Sequence, residues 1–548
     1  MAGRQIQDHW SALSFISHLG GDDGQKPPGA PAYLPLPDQR RLAAYEVLSA
    51  FMTNTRRTYL GGDATVAITR DADGAPMLGK PKGKEFREYG DAALLVEVLR
   101  DLVLGSEQSI VVGDPTLEAD ADPAAPIREW VEDWIRRERL EQKFLQSEEN
   151  TCGRGDGVLA LGLSERAGRP KVRVYDPGFY FPDTEAHVEG WDDDDFPPVV
   201  HLLWEYEDAD RVAWVRRCTY AMAPLDAPVS APWGGTREWT CTYREIEVRR
   251  DRLDGNATVY SQRLGKSPRD EKVLVESDDL AVDFIPVIHV PNTADVWGRS
   301  IITLAAQVLD DLQSEDSDLA LAAQTANPIL VQDAGQPLAL SGMPGEQAVL
   351  PAGTGAQYIS ASLLGGMQYL DSLQRRMAQT TRLGEVLLGR VSPSNVPSGY
   401  AMALGFHSAR QVMRNARTVR NEKYPLLVKF AVRLAQAHGW LEAGETPAIE
   451  IQFGSSLPSD LETTITAIKD LREANSISTE TAVAMLVEVG LPIDDAQAEV
   501  DRILAEDYDA LVKIVDAAGT PGLQEVLRRL GLAQTVTVPV PPAPDAGA

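Results

Sequence analysis

Cysteine is nearly absent from this chain. Cys152, Cys218 and Cys241 are the three in 548 residues, and no two stand at CxxC spacing. A disulfide framework and a cysteine-based structural zinc site are therefore not expected, and a reducing compartment is the default. Long apolar runs are missing as well. No stretch of about 18 apolar residues occurs, so no membrane span is expected. The N-terminal MAGRQIQDHWSALSFISHLGGDDG has no basic region leading into an apolar stretch, so no secretory signal is read there. Positive charge is scarce too, with 52 Lys plus Arg against 81 Asp plus Glu, a net −29. That balance argues against a protein gripping nucleic acid through a broad basic surface, because phosphate neutralisation supplies most of such affinity. It leaves room for a protein that nucleic acid slides past.

Enzyme signatures are also lacking. Seven histidines (His9, His18, His187, His201, His289, His407 and His438) show no HExxH spacing. His187 and Glu189 begin a deaminase-like pattern that no PCxxC completes. No GxSxG elbow is present. The run from Gly79 through Gly83 and Lys84 is one residue short of a phosphate loop, and Glu85 stands where Ser or Thr would hold magnesium. Asp192–Asp195 and the Asp71, Asp73, Gly74 fragment lack the full ligand spacing of a calcium loop. No catalytic residue, metal site or cofactor is assigned, and the expectation is a non-enzyme.

What is present is a 43% hydrophobic chain, enough for packed cores and long enough for several domains. Residues 1–37 read as an irregular Gly/Pro arm. Helical patterning follows at Asp38–Thr53 and Tyr89–Leu104. Another helix begins after Pro126, with Ile127, Trp130, Val131, Trp134 and Ile135 on one face. From Gly155 to about Pro291 the texture becomes short β-rich runs separated by Gly, Pro and Asp, as in an antiparallel meander. The second half is mainly helical. A helix near 299–326 carries a seam of Ile301, Ala305, Val308, Leu312, Leu319 and Ala322, interrupted by Glu315. Asp310, Asp311, Asp316 and Asp318 lie on its other faces. A Gly/Pro insert with short strands fills 328–361. A helix at about Leu363–Leu388 leads to the breaker-rich GRVSPSNVPSG. A helical tract, Tyr400–Gly439, follows, which Pro425 is expected to kink. The tail TVTVPVPPAPDAGA is low-complexity and reads as disordered. The fold class is α+β.

Charge is unevenly spread. Residues 399–438 carry a local +6, with Arg410, Arg414 and Arg417 placed to share one helix face. Residues 456–548 carry −10 and the helix 298–327 carries −4. The basic stripe reads either as a face pairing with acidic neighbours, within the chain or on another subunit, or as a face close to phosphate.

The order of segments resembles the portal proteins of tailed bacteriophages. GDGVLALGL followed by PKVRVYDPGFYFPD is similar to their wing. IPVIHVPNTADVWGRSIITLAAQVLDDLQSEDSDLALAAQTANPILV resembles the strand, Gly-x-Ser and long helix that enter the stem. LDSLQRRMAQTTRLGEVLLGRV, SGYAMALGFHSARQVMRNARTVRNEKYPLL and IEIQFGSSLPSDLETTITAIKDLREANSISTETAVAML follow in the family's order. Together these span about 155–510.

The resemblance implies a portal-like ring subunit with an α/β wing at 38–297, rejoined by 399–455. It implies stem helices at 298–327 and 362–388, a small β-containing clip at 328–361 and a helical crown at 456–532. A tail follows at 533–548. Gly389, Arg390, Val391, Ser392, Pro393, Ser394, Asn395, Val396, Pro397 and Ser398 take the tunnel-loop position facing DNA; Arg390 and Asn395 read either as transient phosphate contacts or as ordinary loop polarity. The N-terminal arm has no placed counterpart. The implied partners are other copies in a twelve-subunit ring, double-stranded DNA, terminase, a head–tail adaptor and the major capsid or scaffold protein. The implied location is the virion's portal vertex, after assembly in the host cytoplasm. A non-channel phage head protein and a cytosolic multidomain enzyme remain the alternatives.

Overall fold

The computed structural model describes residues 31, 33–54, 89–106, 108–114, 122–186, 188, 191, 196–325, 329–332, 356–359, 364–389, 406–454, 461–474, 476–488 and 497–503. The chain forms two compact units, Met1–Ser456 and Leu457–Ala548.

In the first unit, helices α1 (Leu36–Met52), α2 (Asp91–Leu104), α3 (Ala125–Glu138) and α4 (Leu140–Arg154) precede the main sheets. One helix is expected after Pro126, and two are found. Arg139 adopts φ +51 and breaks the chain between them. Trp134 and Phe144 then bury on the two sides of that break.

A three-stranded antiparallel sheet has the order β3 (Lys171–Tyr175), β2 (Asp156–Gly162), β9 (Val287–Pro291). A five-stranded antiparallel meander runs β4 (Tyr180–Asp183), β5 (Val199–Glu207), β6 (Ala213–Ser230), β7 (Thr236–Arg249), β8 (Glu271–Asp279). One face of the meander is covered by Tyr33, Leu34, Val259 and Leu264 packed on Phe181, Val215 and Val248. Polar β8 is invisible to an apolar-run search because it is an edge strand, exposed over most of its length. Strand β1 (Gln108–Val112) pairs antiparallel with the remote β12 (Ile449–Phe453).

Two further helices, α5 (Ile301–Thr325) and α6 (Leu364–Thr381), pack on each other and flank the ribbon of β10 (Ile329–Gln332) and β11 (Ala356–Ile359). The buried stripe of α5 runs through Ile302, Ala305, Leu309, Leu312 and Ser317. It therefore passes Leu309 where the periodicity suggested Val308. Helix α6 stops well short of Leu388, because Arg382 turns left-handed at φ +61 and Gly384 follows at φ +80. Helix α7 (His407–Ala437) runs through Pro425 without interruption.

The second unit contains α8 (Leu461–Glu473) and α9 (Thr479–Glu488), packed through Ile468, Ala482 and Val483. Ser478 caps α9 by accepting the Thr481 N–H at 3.1 Å. Mixed helices and antiparallel sheets make the chain α+β.

Candidate functional site: a buried polar joint at the root of the helical excursion

The most elaborate polar arrangement lies where α4 meets β2 and where β9 turns into α5. Gly155 sits at φ +102, a conformation that favours glycine, and a Cβ there would overlap the Gly298 carbonyl. Its own carbonyl accepts the Asn292 N–H at 2.7 Å. The adjoining Asp156 is fully buried. One carboxylate oxygen accepts the Gly298 N–H at 2.8 Å and stands 2.8 Å from His289 Nε2. The other oxygen accepts the Tyr45 hydroxyl at 2.6 Å. Burial and the neighbouring Asp156 push that phenol well above its ordinary value, so it stays a donor.

Ser300 completes the turn as a helix cap. It accepts the Ile302 N–H at 3.0 Å and donates to the Gly153 carbonyl. Trp297 is held in a box. Arg41 stacks over its ring at 4.2 Å, while Tyr180 and His289 meet it edge-on. The segment VPNTADVWGRS is thus clamped to GRGDGV at both ends. These are two of the runs that carry the portal resemblance.

A second buried cluster adjoins the first. Arg420, mid-way along α7, donates from Nε and Nη2 to the two carboxylate oxygens of Glu148 at 2.9 and 2.8 Å. Nη2 also reaches Asn292 Oδ1 at 3.0 Å. Nη1 reaches the carbonyls of Pro291, Asn292 and Ala416. Tyr424 donates to the same Glu148, and its ring stacks on Phe144 at 4.1 Å. Both charges are entirely buried. Such a pair persists only with its hydrogen bonds satisfied, because desolvating each ion costs several kcal/mol. Burial and Glu148 push the nearby Cys152 thiol well up, which leaves it neutral and unreactive. Asp156, Glu148 and Arg420 are fully buried, and each is hydrogen-bonded within the joint. Its chemistry is positional: it fixes the direction in which α5 leaves the sheet.

The sequence-derived candidates fall elsewhere. Arg410 and Arg414 are exposed on α7. Arg417 departs from that face. It donates to the Val103, Leu102 and Gly454 carbonyls and stacks over Phe453 at 5.0 Å, closing the C-terminus of α2. Within the basic tract, Arg433 also turns inward, 3.8 Å from Asp283 and over Trp233. Much of the local +6 is therefore spent inside the chain.

On α5, Asp311 and Asp318 are exposed, while Asp310, Glu315 and Asp316 are half-buried. Gly389 is described, at φ +71. Residues 390–398 lie outside the described residues, as do Gly79–Glu85, Asp71–Gly74 and Asp192–Asp195. Burial beside Arg217 lowers His201 to about 3, so it stays neutral near pH 7. Asp156, Glu148 and Arg420 were not singled out by sequence reasoning. The available signal for Asp156 was its place between two glycines. Arg420 looked like one more cation of a helix.

No family model matches the sequence, and no curated protein matches it. Solved structures are similar at a low level. The chain of a virion of a native gene transfer agent particle is 13% identical, with TM-score 0.38, covering 72% of this chain and 88% of that one. One from the neck of a native gene transfer agent particle is 14% identical, with TM-score 0.35, covering 74% and 91%. Another from the neck of an empty particle is 14% identical, with TM-score 0.39, covering 78% and 99%. Similarity at this level does not assign a function.

Proposed function

We propose that this chain is a portal-type ring subunit at a phage head vertex, passing double-stranded DNA without hydrolysing anything. The observation that supports it most is the helical excursion. Two packed helices, α5 and α6, leave one root and flank a two-stranded ribbon, in the segment order that resembles the portal stem and clip. In this reading α5 and α6 are stem helices, the β10–β11 ribbon belongs to the clip at 328–361, and 456–532 is the crown. Residues 389–398 take the tunnel-loop position facing DNA in this reading. The acidic α5, with Asp311 and Asp318 outward, would discourage phosphate from adhering. The clip would meet the terminase and then a head–tail adaptor, and the capsid or scaffold protein would surround the wing.

Negative-stain imaging of the purified chain tests this directly. Closed rings with a central hole are expected. A monomer or dimer without a hole overturns the proposal and returns the choice to a non-channel head protein or an enzyme. In a packaging assay, deleting Asn395–Pro397 should leave rings intact and reduce DNA packaging or retention. Unchanged DNA-filled heads would remove the tunnel-loop assignment.

A further inference from the structure

The meander's second face is not covered like the first. Between it and the three-stranded sheet lies an open cleft of about 740 Å³. Its lining includes the aromatic Tyr175, Trp204, Tyr220 and Tyr243, with Arg173, Arg216, Glu245 and Asp278 among them. Tyr175 and Trp204 meet at 6.1 Å and Tyr220 and Tyr243 at 5.0 Å, in tilted pairs. Three of the four rings are only half-buried. The Trp204 indole N–H has no acceptor among the described residues, whereas those of Trp134, Trp191 and Trp214 each have one. Arg216 is held by Glu245 and lies over Trp204 at 5.7 Å. Arg173 is exposed and has no carboxylate partner among the described residues.

Paired aromatic rings with an indole donor are the chemistry that receives polyproline II segments. The flat rings stack on proline, and the donor takes a backbone carbonyl that this helix leaves unpaired. The chain itself contains such a sequence. VPVPPAP at 538–544 carries no charge and is followed by Asp545. The other proline cluster fits poorly. Lys26, Pro27 and Pro28 bring a cation, and the chain from Pro31 leads to Tyr33 and Leu34 on the meander's opposite face.

We propose that the cleft receives the proline-rich segment 535–548 of a neighbouring copy, with prolines against Tyr175, Trp204 and the Tyr220–Tyr243 pair, and with Asp545 beside Arg173. The choice of a neighbouring copy rests on the oligomer proposed above. Recognition of the segment by the cleft does not.

The first test is a titration of a fluorescein-labelled TVTVPVPPAPDAGA peptide into the full chain carrying Pro539→Ser, Pro541→Ser, Pro542→Ser and Pro544→Ser, which leaves the cleft open to the added peptide, read by anisotropy. Saturable binding is expected. It should weaken at least fivefold for Trp204→Phe, which keeps a smaller aromatic face and loses the donor, and about tenfold for Arg173→Glu. A peptide carrying Asp545→Lys should recover most of the Arg173→Glu loss. Absence of saturable binding, or binding indifferent to both substitutions, overturns the cleft assignment whether or not rings form.

The second test places a photo-crosslinker at position 541 in a mixture of isotopically heavy and light chains. Heavy–light crosslinks to peptides of β3, β5 or β6 are expected. Crosslinks confined to single chains, or to other surfaces, overturn the neighbouring-copy assignment. Ring formation is scored separately by imaging.

Discussion

Arg420 and Glu148 illustrate how one residue pair can decide the stability of a large unit. Arg420→Met would leave a buried carboxylate with no countercharge and only the Tyr424 hydroxyl and Cys152 thiol as donors, and we expect it to lose about 3–5 kcal/mol of unfolding free energy. The double substitution with Glu148→Gln should recover part of that loss, because no buried charge then remains. Denaturant titration of the three variants reads the difference. If Arg420→Met unfolds at the wild-type midpoint, the pair is not a structural anchor.

Glu138 provides the pH dependence. Burial would raise it, but Lys143 at 2.7 Å, Arg169 at 3.0 Å and the Val172 N–H together hold it below its ordinary 4.5. A depressed folded value means its contribution is fully present above about pH 4.5 and is lost as pH falls through the lower folded value. The melting-temperature gap between wild type and Glu138→Gln should therefore be constant from pH 7 to 5 and narrow below that. At this scale the sequence was a partial guide. The apolar positions Ile127, Val131 and Trp134 were legible from spacing, and all three are buried. The inward turn of Arg417 and Arg420 was not, because 3.6-residue periodicity groups cations on a face without saying what that face meets.

Among the elements, α6 has the most distinctive surface. One side, through Leu373, Met377 and Ala378, is buried. Near its start, Leu364, Met367 and Tyr369 are 63%, 61% and 49% exposed. Apolar side chains concentrated on one half of a helix are costly to leave in water and are common where subunits meet. Leu364→Asp with Met367→Asp should leave the melting temperature of the isolated subunit within about 2 °C of wild type, since surface changes are small in stability. The same pair should lower the yield of oligomer in sedimentation velocity. Undiminished oligomer would show that this half-helix is not part of a subunit contact.

Strands were legible where apolar and β-branched residues cluster, as in β2 and β5. They were missed where a strand is short or polar, as in β1 and β8. The pairing of Gln108–Val112 with Ile449–Phe453 has no local signal at all, because it is dictated by how the helices between them fold.

For the whole molecule, the charge of −29 per chain multiplies in any ring, so neighbouring copies repel over distances that salt can screen. Oligomer yield should rise between about 20 and 300 mM monovalent salt, since the Debye length shortens across that range. A yield that falls with salt would instead place ion pairs at the centre of the subunit contact. The alternation of helical and sheet texture along the chain was enough to read α+β. The Leu457–Ala548 unit corresponds in the sequence to a strongly acidic stretch, which the resemblance reads as a crown at 456–532 and a tail at 533–548.

The joint also sets a schedule for synthesis. Asp156 acquires its Gly298 donor only when the chain has grown 142 residues further, and Glu148 waits 272 residues for Arg420. On the ribosome, a nascent chain carrying α4 and β2 therefore holds two carboxylates at positions destined for burial but not yet matched. Contacts of such separation close slowly, because the intervening chain must be ordered first. The first unit should thus complete its fold only near the end of translation, leaving a long interval in which its β-strands are open to misassembly. Nascent chains stalled before residue 407 should be protease-sensitive throughout 140–300, and protection should appear in one step once α7 has emerged.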